Sequence, residues 1–250
     1  MTVYFIGAGP GDPELLTIKA KKVIEKADVI IYAGSLVNTE ILRYAKSDSK
    51  LYNSAKMDLE EILDIITKAS EEKKTVARIH SGDPSIYGAI AEQMSLLDER
   101  SIQYEVIPGV SSFLSAAALL KKEYTIPEVV QTVIITRAEG RTKVPEKEKI
   151  TELAKHKASM CIFLSGGMIK DVAEELASSY GPKMPVAVVY RASWPDEKVI
   201  LGTLEDIAEK LEGEDVKRTA LILVGDFLKK GGKRSKLYDK NFSHGFRGKK

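Results

Sequence analysis

Four glycine-bearing loops hold the residues whose types and spacing suggest chemistry. Gly7-Ala8-Gly9-Pro10-Gly11-Asp12-Pro13 follows the apolar run Val3-Tyr4-Phe5-Ile6 and precedes a helical pattern. Backbone N–H groups at such a strand-to-helix turn can meet phosphate. The dinucleotide fingerprint, however, needs glycine where Asp12 stands and an acid near Tyr32-Ala33-Gly34, and this chain has neither. Pro10 and Pro13 remove two further donors. The loop suits a close backbone approach or a tight turn, and pyrophosphate fits it poorly. Ser81-Gly82-Asp83-Pro84, Pro108-Gly109-Val110-Ser111-Ser112 and Leu164-Ser165-Gly166-Gly167 each follow a predicted strand. Singly they are ordinary turn chemistry. Together, beyond the carboxyl ends of strands in an α/β sheet, they point to a cleft for a small molecule with an adenosine-like or polar body.

The elements that must position these loops are legible in the periodicity. Strands are predicted at Val3 to Ile6, Val29 to Tyr32, Val76 to Ile79 and Tyr104 to Ile107. Helical spacing runs from Leu16 to Ala27 with Thr17 as a cap, and from Ile90 through Met94 to Leu97. Asp58 with Glu61 forms a capping-box signature ahead of Leu59, Ile62, Leu63 and Ile66. Ser111 or Ser112 can cap the small-residue helix of Ala116 to Ala118. This alternation gives an α/β layer with a largely parallel sheet. The second half predicts strands at Thr132 to Thr136, Ser159 to Leu164, Val186 to Tyr190 and Ala220 to Val224. Its helices are predicted near Ile150 to Lys155, Met168 to Ser178 and Leu204 to Leu211. Two α/β domains follow, 1–120 and 121–228, with a basic tail over 229–250.

With 250 residues, 44% hydrophobic and 30% charged, the chain can bury a sizeable core, and disorder is excluded. A single Cys, Cys161, and three scattered histidines, His80, His156 and His244, give neither a disulfide framework nor metal-ligand spacing. The start lacks a signal-peptide pattern and the longest apolar run is too short to span a bilayer, so a cytoplasmic location and no membrane partner are expected. The net charge of +2 hides an asymmetry: nine Lys or Arg against one acid in the tail leave −6 on the rest. Such a tail attracts polyanions or merely aids solubility.

The ordered set Gly7–Pro13, Gly82-Asp83-Pro84 and Pro108–Ser112 resembles the tetrapyrrole methylase superfamily. Within it, Thr125-Ile126-Pro127, Gln131-Thr132, Thr136–Thr142, Trp194–Lys198, Ser235–Asp239 and His244–Arg247 resemble the precorrin-4 and cobalt-precorrin-4 C-11 methyltransferases of cobalamin synthesis. The resemblance covers essentially the whole chain. It implies two α/β domains, the first with a mostly parallel and the second with a mixed sheet, in a homodimer. It also implies S-adenosylmethionine (SAM) bound folded between the domains and a tetrapyrrole substrate in a neighbouring trough. The cofactor contacts it implies are Pro10, Gly82, Asp83, Pro84, Ser111 and Ser112, then Leu164, Ala192, Thr219, Ala220 and Leu221. No nucleic acid and no protein-bound metal are expected, since a cobalt in the acceptor would be held by the macrocycle.

Methyl transfer from a sulfonium is an in-line displacement with a neutral leaving group, so alignment and exclusion of water dominate. No covalent nucleophile is needed, in keeping with the absence of a Ser-His-Asp or Cys-His pattern. The acceptor's acetate and propionate groups call for Arg, whose fork binds carboxylates in a defined geometry. Arg137, Arg141 and Arg191, with His80, are the candidates, and Glu139 is a possible internal partner for Arg137 or Arg141. For proton movement the candidates are His80, Tyr87 and Glu139. Asp83 either contacts the charged donor or caps a helix before Ser85. Trp194 either closes the site edge or sits at a dimer seam. The rival readings are a relative that methylates a macromolecule, supported only by the basic tail, a non-catalytic ligand-binding protein, and, weakest, a dinucleotide oxidoreductase.

Overall fold

The computed structural model describes residues 2–216 and 219–229 and, beyond them, 231, 239, 242, 243 and 245. Most of the basic tail, with Ser235–Tyr238, His244 and Phe246–Arg247, lies outside the described residues. Two compact units form: Met1–Ala116 with Arg191–Glu197, and Ala117–Tyr190 with Lys198–Lys250.

In the first unit β1 (Val3–Gly7), α1 (Ile18–Ile24), β2 (Val29–Tyr32), β3 (Lys50–Asn53), α2 (Leu59–Glu71), β4 (Val76–His80), α3 (Ile90–Glu99) and β5 (Tyr104–Ile107) succeed one another, and α4 (Ser112–Leu120) follows. The strands form one parallel sheet in the order β3-β2-β4-β1-β5. Both faces are covered, as a parallel sheet requires. Phe5, Ile31 and Val76 pack on Ile62, Ile66 and Leu97, while Ile6, Ile30 and Ile79 pack with Ala20 and Ile24. Thr17 Oγ1 accepts from the Ala20 amide and caps α1, and Asp58 and Glu61 form the full capping box of α2.

The second unit contains β6 (Val133–Arg137), α5 (Ile150–Ala154), β7 (Ser159–Phe163), α6 (Ile169–Tyr180), β8 (Pro185–Tyr190), β9 (Lys198–Thr203), α7 (Ile207–Lys210) and β10 (Ala220–Val224). Its sheet, β6-β7-β10-β8-β9, is mixed: β6 and β7 run parallel and the other pairs antiparallel. Met160, Ile162, Val188 and Ile222 pack against Val172, Leu176 and Ile207. The expected fold class, a mostly parallel sheet followed by a mixed one, is the one observed.

Several elements differ from expectation. The edge strands β3 and β9 were not anticipated. Their side chains are largely exposed, so neither carries the buried pattern that signals a strand, and pairing with β2 and β8 creates them. Strand β7 ends at Phe163 because Leu164 turns left-handed at φ 57°. The helix expected over Leu204 to Leu211 shrinks to one turn, since Asp206 Oδ1 takes the Thr203 amide at 2.6 Å and holds a turn ahead of it. Among the described residues no helix is long and apolar enough to cross a membrane.

Candidate active site

Strands β4, β1 and β5 lie side by side, so their C-terminal loops meet. The meeting is backbone against backbone. Gly9 and Gly82 exchange hydrogen bonds at 3.2 and 2.8 Å, both in the left-handed region at φ 75° and 62°. A Cβ on Gly7 would lie 2.6 Å from the Gly109 backbone and from the Gly82 carbonyl, and one on Gly109 would overlap that carbonyl. These glycines therefore let three loops seat on one another.

Asp83 fastens the junction. Its Oδ1 accepts from the Ser85 amide and its Oδ2 from the Gly109 amide, each at 2.8 Å. The helix cap considered for Asp83 is not formed, because α3 starts only at Ile90 and the Ser85 contact is a local turn. Pro84 is buried beside it, and Ser111 is buried where α4 begins, its carbonyl taking the Leu114 amide at 3.0 Å. No Lys or Arg occurs in 7–13, 81–85 or 108–112, whereas Asp12 and Asp83 do. Such a cradle repels phosphate and suits a cationic or neutral ligand recognised through backbone and hydroxyl groups, which is the character of a sulfonium nucleoside.

The Arg191–Glu197 segment counts with this unit. Trp194 Nε1 donates to the Pro10 carbonyl at 2.9 Å, and Ser193 Oγ accepts from the Asp12 amide at 3.0 Å. Ala192 is buried within the segment.

Residues 2–208 match the sequence model of the Tetrapyrrole (Corrin/Porphyrin) Methylases. The chain belongs to this family. It is similar to the cobalt-precorrin-4 C(11)-methyltransferase of Methanocaldococcus jannaschii, 60% identical over 98% of this chain and 95% of that protein. It is also 48% identical to the precorrin-4 C(11)-methyltransferase of Pseudomonas aeruginosa, over 99% of each. A solved cobalt precorrin-4 methyltransferase, a cobalamin biosynthetic enzyme, superposes with a TM-score of 0.89 at 44% identity, covering 91% of this chain and 96% of that one. The uroporphyrin-III C-methyl transferase of Thermus thermophilus, complexed with S-adenyl homocysteine, superposes at 0.76 with 27% identity, covering 92% and 94%.

In this tetrapyrrole methylase the register of the second sheet gathers other candidates at one end. Arg137 pairs with Phe163, Ile222 with Ile162 and Ala220 with Tyr190, so the ends leading to Ala138, Leu164 and Thr219 are neighbours. Leu164 is 69% exposed and Thr219 is exposed at φ 57°, while Ala220 and Leu221 are buried in β10. Buried Ser165 ties the loops, donating to Phe163 O at 2.7 Å and accepting from the Ala138 amide at 2.9 Å. Arg137 spends its guanidinium on the Ala138, Thr142 and Lys143 carbonyls at 3.3, 3.1 and 2.7 Å, an internal pairing with backbone and not with Glu139. Arg141 and Glu139 are exposed on the loop so shaped. Arg191 belongs to the first unit, paired with Asp196 and stacked 3.8 Å from the Trp194 ring.

His80 differs from the expected carboxylate partner. It is 5% exposed, and burial, with the Arg78 cation, pushes its pKa down to about 3, opposed by a backbone hydrogen bond at Gly88. A neutral imidazole at working pH neutralises no carboxylate and is a weak base. Tyr87 stands outside α3, exposed and left-handed at φ 56°. The sequence reading missed Arg78, buried inside β4. Its Nε donates to Gln93 Oε1 at 3.2 Å and its Nη1 to Ser54 Oγ at 3.1 Å and Ile31 O at 3.4 Å. Desolvation lowers its pKa to about 10, which leaves it charged at neutral pH. A cation inside an otherwise apolar strand was the available signal. Among the described residues no cluster of His, Cys, Asp or Glu could hold a metal ion.

Proposed function

We propose that this chain transfers the methyl group of S-adenosylmethionine to carbon 11 of precorrin-4 in its cobalt-containing form, a step of corrin-ring synthesis. The observation that carries this is the 60% identity, over nearly the full length of both chains, to a cobalt-precorrin-4 C(11)-methyltransferase. The cation-free cradle around Gly82, Asp83 and Gly109 supports it.

When bound, the cofactor supplies an electrophilic methyl group on a positive sulfur. The chain's own contribution is placement. Pro10, Gly82, Pro84, Ser111 and Ser112 are the residues assigned to the cofactor, and the Asp83 bridge to the Gly109 amide joins the two loops that carry the last four before binding. Alignment of this kind lowers a barrier by roughly 7–11 kcal/mol. In the second unit we assign Leu164, Ala220 and Leu221 to the cofactor and exposed Arg141 to the acceptor's carboxylates. Arg137 shapes the acceptor loop. The homodimer and the cytoplasmic location implied by the family resemblance belong to the same proposal, and light scattering tests the first.

The decisive experiment incubates the purified protein with SAM and precorrin-4, with and without cobalt, followed by mass spectrometry and NMR. The expected result is one added methyl group at carbon 11, formed faster on the cobalt form. Methylation at another ring carbon refutes the regiochemistry, and faster turnover of the cobalt-free acceptor refutes the cobalt assignment.

A further inference from the structure

We infer that Trp194 is a positioning residue for the Gly7–Pro13 loop, and that Arg191–Glu197 is a strap holding this loop in its cofactor-binding shape. The inference rests on the cofactor assignment above.

The loop leaves β1 at Gly7, and past the Gly9–Gly82 bridge no strand or helix supports it until the 3-10 turn Pro13–Leu15. Three of its backbone groups are held from elsewhere in the chain. The Trp194 indole N–H donates to the Pro10 carbonyl at 2.9 Å, Asn38 donates to the Gly11 carbonyl at 2.9 Å, and the Asp12 amide donates to Ser193 Oγ at 3.0 Å. The indole ring occupies the space where a side chain on Gly11 would stand, so the absent Cβ is what admits the tryptophan.

The strap is itself stiffened. Arg191 pairs with Asp196 and lies 3.8 Å over the Trp194 ring, a cation–π stack on the loop-bound indole. The Ser193 amide donates to Glu197 Oε2 at 2.8 Å. Arg191 and Ser193 both adopt left-handed backbone, at φ 47° and 69°, a conformation that non-glycine residues keep only where surrounding contacts impose it. Ala192, a proposed cofactor contact, lies buried between them. This arrangement gives Arg191 a role as the outer leaf of the strap in place of acceptor binding.

Trp194 is the sole tryptophan, so indole emission reports this position alone. The test titrates wild-type protein with S-adenosylhomocysteine, followed in parallel by calorimetry and by tryptophan fluorescence. Trp194→Phe and Trp194→Ala are then compared for affinity and for kcat and KM with SAM. The expected outcome is a saturable emission change with the calorimetric midpoint. Trp194→Phe, which keeps a ring but loses the N–H bond to Pro10, should weaken binding and raise KM for SAM about threefold to tenfold with kcat nearly unchanged. Trp194→Ala should do more. Calorimetric binding with silent fluorescence and a Trp194→Phe affinity within twofold of wild type overturns the strap alone. No calorimetric binding to wild type overturns it together with the cofactor assignment.

Discussion

Replacing Asp83 by Asn tests whether the cradle is held together or touches the cofactor's charge. Asparagine keeps the shape and one acceptor, which can still take the Ser85 amide. The other position becomes an NH2 facing the Gly109 N–H, so a charge-assisted bond of 2.8 Å is replaced by two opposed donors. Hydrogen bonds to charged groups contribute about 1.5–3 kcal/mol, and for this partly exposed carboxylate the lower half of that range applies. If the β4 and β5 loops must be joined before binding, roughly 1.5–2 kcal/mol appears as a 10- to 30-fold weaker cofactor affinity. The assay is calorimetry with two ligands that differ in charge at sulfur, SAM and S-adenosylhomocysteine. A fastener acting on loop shape weakens both by the same factor. A carboxylate acting directly on the sulfonium weakens SAM alone, because the thioether carries no charge there. A loss confined to SAM, or affinities within twofold of wild type for both, would refute the reasoning.

Gly109→Ala should abolish folding of the loop junction and with it S-adenosylhomocysteine binding, since its Cβ would overlap the Gly82 carbonyl. Gly140→Ala, whose nearest neighbour would be Met168 Sδ at 3.6 Å, should leave calorimetric affinity intact. His80 binds its proton in the unfolded chain near pH 6.5 but in the folded chain only near pH 3. The stability associated with its neutral form is thus complete above about pH 6.5 and is lost progressively as pH falls toward 3. Urea unfolding at pH 7 and 4.5 should differ by roughly 2–3 kcal/mol from this residue, and His80→Gln should remove that difference. Arg137→Lys cannot bridge the Ala138, Thr142 and Lys143 carbonyls together. Faster proteolysis within 138–143 and a raised KM for the tetrapyrrole, with unchanged S-adenosylhomocysteine affinity, are the expected results.

What could be read from the residues alone divides by how far each partner lies along the chain. Thr17 and the Asp58–Glu61 box act within three residues, and both caps form as their spacing dictates. The parallel sheet of the first unit follows from short buried runs separated by helical periods. Strands β3 and β9 escape such a reading because their exposed faces carry no buried pattern and their existence depends on a neighbour. The same holds at the site. The glycines of the three loops mark a place where backbones come close, but spacing cannot say that what approaches is another loop. Asp83 reaches Gly109 across 26 residues and Trp194 reaches Pro10 across 184. Such contacts leave no local pattern. They turn loops that look like independent ligand contacts into one fastened surface.

The buried charges make the same argument from the opposite side. His80 stands beside a glycine loop and its type reads as a ligand-binding group, while Arg78 lies two residues before it on β4. Both are buried. Gln93 on α3 and Ser54 after β3 satisfy Arg78, and His80 is left neutral. Moving a guanidinium out of water costs several kcal/mol unless its donors are matched, so β2 at Ile31 and the turn after β3 at Ser54 cannot shift without exposing that cost. The chain thus buries a charge within the sheet as a fastener for neighbouring segments and leaves the three glycine-bearing loops free of cations. A cofactor bearing its own positive charge is the kind of ligand that such a division of labour accommodates.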